Sequence, residues 1–262
     1  MIYFILISSS TVFASDKDEI LSEIINEPEK YAQESYSNEF ADLRPKSIIQ
    51  AAQTIGFQKG VEWRYNQIIK NVEKNESDIN RIFDFGQLTM DNGRLLPPVI
   101  VEGNKGVNIE SRDTSTEVEV SYRILKDARI ISVPPTWRDY LYYEYKASEV
   151  INPAVLPKND EEQEIWEKHV ASYFQRGIEH ADRIFQRNLN KMTRDFKGIL
   201  SFKILAEQNM VSLPILSEGK VGVVVEDKTL DVDQRVFRIT KDGTFNNKVD
   251  TWTPKIGNQI LN

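Results

Sequence analysis

Apolar residues recur at helical spacing through the first half of the chain. Ile48, Ala51, Ala52 and Ile55 lead up to Gly56, and Val61, Tyr65, Ile68, Ile69 and Val72 repeat the pattern after Gly60. A third helical stretch is predicted from Ser77 to Asn92 on Ile79, Ile82, Phe83, Phe85 and Leu88, with Gly93 where a helix C-terminal glycine belongs. The period then changes. Pro98 to Glu102 and Val107 to Ile109 are short apolar runs around Gly103-Asn104-Lys105-Gly106, the composition of a hairpin turn. Val118, Val120, Tyr122 and Ile124 alternate with Glu117, Glu119, Ser121 and Arg123, as in a half-buried strand. After a connector rich in proline and aromatics, Asn159 and Glu162 form a capping box. It opens the longest periodic segment. Trp166, Val170, Tyr173, Gly177, Ala181, Ile184, Asn188, Met192 and Phe196 fall on one stripe, which predicts a helix of about ten turns, broken near Gly198 and followed by another reaching Met210. Leu213 to Ile215, Val221 to Val225 and Val236 to Ile239 read as strands, with Gly219 and Gly222 at turns.

The order helix, helix, strand, turn, strand, strand thus occurs twice, at an offset that drifts from 117 to 115 residues. Gln58, Gly60 and Glu62 face Gln175, Gly177 and Glu179; Asn92 faces Asn209; Glu102 and Gly103 face Glu218 and Gly219; Thr136 and Trp137 face Thr251 and Trp252. This pattern predicts a degenerate internal duplication of a helix-helix-hairpin unit, with pseudo-repeats at 51–137 and 168–252. A lone hairpin cannot bury its apolar face, so the expected fold is α+β, with helices packed on one shared, mainly antiparallel sheet. The expected organisation is a single domain over 43–254.

The flanks differ. Residues 1–14 are an apolar and hydroxyl run ending in Val12-Phe13-Ala14, which suits signal-peptidase cleavage before Ser15 and export to a bacterial periplasm. Residues 15–42 are polar and acidic and read as a flexible tether with some short helix; 255–262 read as a C-terminal tail able to order on a partner. Forty acidic against 33 basic side chains give a net charge of −7, and no basic run grips phosphates, which argues against a nucleic-acid binder. Cysteine is absent, which removes disulfides, thiolate metal sites and cysteine nucleophiles. His169 and His180 lack the spacing of a helical metal pair, and no metal or cofactor is expected.

Ionisable candidates are few. Glu102 and Glu218 each precede a glycine, and pseudo-symmetry could bring them together as an acid/base pair, the basis of an alternative reading as an exported carboxylate-dependent hydrolase. Solvated turn carboxylates account for them more simply. Asp139 beside Arg138, and His180 near Asp182, fit surface pairs and adjacent helix positions. The aromatics carry more: Trp137, Tyr140, Tyr142, Tyr143 and Tyr145 crowd behind a double proline. With Arg138 and Trp252 they are the expected partner-binding surface.

Several strings carry a family likeness. Gly60-Val61-Glu62-Trp63-Arg64, Ile82-Phe83-Asp84-Phe85, Leu96-Pro97-Pro98-Val99 with Glu102-Gly103, and above all Pro134-Pro135-Thr136-Trp137-Arg138-Asp139-Tyr140-Leu141 resemble the DotC family. So do Leu156-Pro157-Lys158-Asn159, Arg194-Asp195-Phe196, Met210-Val211-Ser212 with Pro214, and Arg235-Val236-Phe237-Arg238-Ile239-Thr240. The likeness spans nearly all of 43–254 and extends to TraI-type proteins of conjugative plasmids. It implies a non-enzymatic scaffold subunit of a type IVB secretion or conjugation system. Such a subunit lies in the periplasm at the outer membrane and joins a DotD-like lipoprotein and a DotH-like subunit in the core complex. No catalytic residue or cofactor comes with it. The acylated cysteine of the family is missing here, so the expectation is either a longer precursor that carries it or attachment to the outer membrane through partners.

Overall fold

A computed structural model describes residues 13–31, 44–111, 114–143, 153–226 and 229–253. In chain order these form helices α1 (Phe13–Asn26), α2 (Arg44–Lys74) and α3 (Glu76–Ile82); strands β1 (Leu95–Leu96), β2 (Val99–Ser111), β3 (Thr114–Lys126) and β4 (Arg129–Ile130); helices α4 (Trp137–Leu141) and α5 (Asp160–Glu207); and strands β5 (Ile215–Glu226) and β6 (Thr229–Lys241). The fold is α+β, and among the described residues every strand pairing is antiparallel. Among the described residues, no helix is long and apolar enough to cross a membrane.

The chain divides into two compact units. The first holds the described residues up to Ile79 together with Leu141–Leu189; the second holds Asn80–Tyr140 and the described residues from Asn190 onward. Both units fall within the span 43–254 expected as one domain, the first also taking in α1. The unit boundary also cuts across both pseudo-repeats, so each unit draws matching pieces from 51–137 and from 168–252.

In the first unit, Ile24, Ile48, Ala52, Ile55, Trp166, Val170 and Phe174 form a core. Ile24 is fully buried and accepts, through its carbonyl, the Trp166 indole N–H at 3.2 Å. The expected tether therefore begins with a helix docked on this core: Ile20, Leu21, Ile24 and Ile25 make one stripe. Residues 32–43, and 1–12 of the expected signal, lie outside the described residues.

Helix α2 runs unbroken for 31 residues through Gly56 and Gly60, where separate helices were expected. Both glycines serve close approach instead. A Cβ on Gly60 would overlap the Phe174 carbonyl oxygen of α5, and a Cβ on Gly177 would overlap the Phe57 carbonyl oxygen of α2. Phe57 and Phe174 stand at the same offset as Gly60 and Gly177. The crossing is thus reciprocal, as across a two-fold axis. The Asn159 side chain caps α5, with the Glu162 N–H on its Oδ1 at 2.8 Å, while the Glu162 carboxylate accepts the Lys158 N–H at 2.8 Å rather than that of Asn159; Arg44 clamps Glu162 from Nε and Nη2 at 2.7 and 2.9 Å.

In the second unit the expected helix from Ser77 to Asn92 stops at Ile82, and Asp84 Oδ1 caps a short 3-10 turn at Gly86–Leu88. Phe83, Phe85 and Leu88 are buried by this turn rather than by continued helix. Helix α5 runs 48 residues without a break at Gly198, because Gly198 packs on the backbone of Ile100. Phe174 fills the buried position expected for Tyr173. Each hairpin is longer than expected. β2 runs through Gly103 and Gly106 and turns only after Ser111, and β5 absorbs Gly222 as a left-handed residue, φ 84°, at a register shift.

The strands do not merge into one sheet. Among the described residues they form three two-stranded sheets, β1–β4, β2–β3 and β5–β6. The two hairpins repeat one another: Ile100↔Ile124 matches Leu216↔Ile239, Glu102↔Tyr122 matches Glu218↔Phe237, and register shifts fall at Val99/Ile100 and Ile215/Leu216. Asn92 and Asn209 share a left-handed backbone, φ 55° and 57°.

Candidate functional site

The expected aromatic surface is divided by the fold. Trp137, at 1% exposure, belongs to the core, which corrects its assignment to a docking face; Arg138 lies over its ring at 4.3 Å. Tyr140 is half-buried and stacks on Phe85, with ring centres 5.5 Å apart. Tyr142 and Tyr143 are exposed, but they sit with the first unit, where the Tyr143 ring meets Tyr65 edge-on and its N–H donates to the Tyr65 hydroxyl. Trp252 is half-buried in the second unit, its indole N–H donating to the Asn246 carbonyl at 3.1 Å. Tyr145 and residues 254–262 lie outside the described residues.

The other candidates are also separated. Glu102 and Glu218 are exposed on different two-stranded sheets, and Glu218 accepts from Arg235 at 3.1 Å. His180 packs on Phe57, while Asp182 accepts from Arg64 at 2.7 Å; His169 shares a 3.5 Å contact with Gln53. Asp139 accepts the Thr136 N–H at 2.6 Å and the Thr136 hydroxyl at 3.1 Å, which holds the turn entering α4.

What the fold does assemble centres on Asp195 of α5, buried at 1% exposure. Its carboxylate accepts from Lys126 Nζ at 2.5 Å, from Arg194 Nη2 at 2.9 Å and from the Tyr140 hydroxyl at 3.2 Å. Burial alone pushes this carboxyl up, and the hydrogen bonds of Lys126 and then Arg194 outweigh it, so its pKa sits below the ordinary carboxylate value. Burial, and then the charge of Asp195, push the Tyr140 phenol well above its ordinary value. Over this network lies a groove of about 630 Å³ that includes Lys126, Arg129, Lys191, Pro134, Pro135 and Tyr140 in its lining. One signal of this network is present in the sequence: Asp195 falls three residues after Met192 on the buried stripe of α5, where a carboxylate needs partners. Lys126 and Arg129 come from outside that periodicity and are found only in three dimensions.

This network makes stability depend on pH in one direction. A carboxyl with a lowered folded pKa contributes stability above its unfolded value, and that contribution is lost as pH falls through the folded pKa. Lys126→Met removes the largest favourable hydrogen bond. We expect a loss of about 1–2 kcal/mol at neutral pH and an acid transition moved to higher pH, read from thermal melts between roughly pH 2 and 6. Coincident acid limbs for the two proteins would refute the role given to Lys126.

Residues 42–254 match the model of a family described as type IV secretory system, conjugal DNA–protein transfer. No curated protein matches the chain.

Proposed function

Since the chain belongs to the TraI family of type IV secretory systems, associated with conjugal DNA–protein transfer, we propose that it is a non-enzymatic scaffold subunit of the outer-membrane core complex. In this reading it works in the periplasm and holds a DotD-like lipoprotein and a DotH-like subunit by non-covalent contacts. The observation that carries the reading is the extent of the family match, which takes in most of both units. The motif Pro134 to Leu141 supports the DotC-like assignment, and its side chains build the turn, α4 and the groove beside them.

Two features favour assembly over catalysis. Each long hairpin pairs only with itself among the described residues, leaving unpaired strand edges and exposed apolar side chains such as Val120, Ile215 and Val236. Such edges are natural docking surfaces for another chain. The carboxylates of the hydrolase alternative, Glu102 and Glu218, are exposed on separate sheets rather than facing each other in a cleft.

The test is crosslinking and affinity capture of the tagged, exported protein from membranes of its own host, with outer-membrane fractionation. Recovery in the outer-membrane fraction with DotD-like and DotH-like subunits is expected. A soluble monomer recovered without them overturns the proposal.

A further inference from the structure

We propose that the groove above Asp195 binds an acidic, partly apolar segment of a partner protein in extended form. The inference deepens the scaffold reading and rests on it for the occupant being another subunit. Its basis is charge complementarity. Lys126, Arg129 and Lys191 line the groove, in a chain whose overall charge is −7. The carboxylate in the lining, Asp139, is held by Thr136, and Asp195 lies buried beneath Lys126. Lys126 is tied to Asp195, so the cations available to a ligand are Arg129 and Lys191, both exposed; Lys191 Nζ stands 5.9 Å from the centre of the Tyr140 ring.

The rest of the wall selects the kind of anion. Ile130 is 43% and Val133 71% exposed, and Pro134 and Pro135 continue that side. Apolar side chains alternating with carboxylates would cover Ile130 and Val133 while reaching Arg129 and Lys191. A nucleic-acid strand would leave this apolar wall uncovered and would call for a longer row of cations.

The corresponding groove of the second pseudo-repeat sharpens the point. There Phe245, Asn246, Asn247 and Val249 stand where Ile130, Ile131, Ser132 and Pro134 stand in the first. Thr244 takes the place of Arg129. The two halves thus share these connector positions in a concave lining, and the lining of the second groove holds no charged side chain.

The test is fluorescence anisotropy on the full chain with a short fluorescein-labelled peptide of alternating Glu and Leu broken by Ser. Its Lys/Leu counterpart and a single-stranded oligonucleotide of similar length are run beside it. Binding of the Glu/Leu peptide, weakened by added salt and about ten-fold weaker for Arg129→Glu with Lys191→Glu, is expected. Lys220→Glu, on β5, should leave binding unchanged. Thermal melts of the variants separate lost binding from lost folding, and Val133→Asp, which keeps both cations, should also weaken binding. Equal affinity for the Lys/Leu peptide, tighter binding of the oligonucleotide, or indifference to the charge reversals in folded protein each overturns the inference. Failure here with successful membrane capture removes the groove and leaves the scaffold proposal standing; peptide binding without membrane capture does the reverse.

Discussion

Gly60→Ala should destabilise the first unit by about 2–4 kcal/mol, although alanine is the better helix former by about 1 kcal/mol. The sign is set by what the added methyl meets. Its nearest neighbours are backbone atoms of Phe174: the carbonyl oxygen in overlap, then the carbonyl carbon at 2.9 Å and Cα at 3.0 Å. A flexible side chain could swing aside, but backbone within a helix cannot move without moving the helix. The α2 and α5 axes would have to separate, and Trp63 would lose its packing on Phe174, whose ring centre lies 6.2 Å away. Gly219→Ala is the matched control, because its nearest neighbour is 3.9 Å away, an ordinary contact. It should stay within about 0.5 kcal/mol of the parent protein. Thermal and denaturant melts decide; coincident curves for Gly60→Ala and the parent would show that the helices cross less closely than described.

The role of Gly56 and Gly60 was only partly legible in the sequence. Their i, i+4 spacing on one helix, with the matching Gly177 117 residues later, was visible, but glycine inside a helix reads as punctuation unless a facing backbone is known. The same holds for Gly103, Gly106, Gly219 and Gly222, read as turns and found within long strands. By contrast, the stripe from Trp166 to Met192 and the Asn159 cap were legible, since period and capping are local properties. The number of sheets was not. Alternation tells which residues share a face, and it is silent on which strands meet edge to edge.

The candidate site was legible only in part, for a related reason. The Pro134 to Leu141 string drew attention to the right segment, but composition could not distinguish an aromatic that covers a partner from one that fills the core. Trp137 and Tyr140 turn inward because α4 is amphipathic over a single turn, placing them three apart on one face. Arg129, Lys191 and Asp195 gain meaning only when the connector, β4 and α5 come together. Each unit is built from two distant parts of the sequence. In the proposed scaffold, such interleaving would tie the integrity of each docking surface to both halves of the chain.

Trp137→Ala should therefore act on stability before it acts on assembly, with an expected loss of about 3–5 kcal/mol. The indole is 1% exposed, and truncation would leave a large void beneath α4. Trp137→Phe keeps most of the apolar volume. The indole N–H has no hydrogen-bond partner among the described residues, so this change should cost no more than about 1.5 kcal/mol. Trp252→Ala, at the matching position of the second pseudo-repeat, removes a half-buried ring and one hydrogen bond to Asn246 and should cost about 1–2 kcal/mol. Melting each variant beside membrane capture separates the two roles. A folded Trp137→Ala protein with a parent-like melt but lost partners would return Trp137 to the surface; a lowered melt, with Trp137→Phe still assembling, fits a core residue that shapes the groove from beneath.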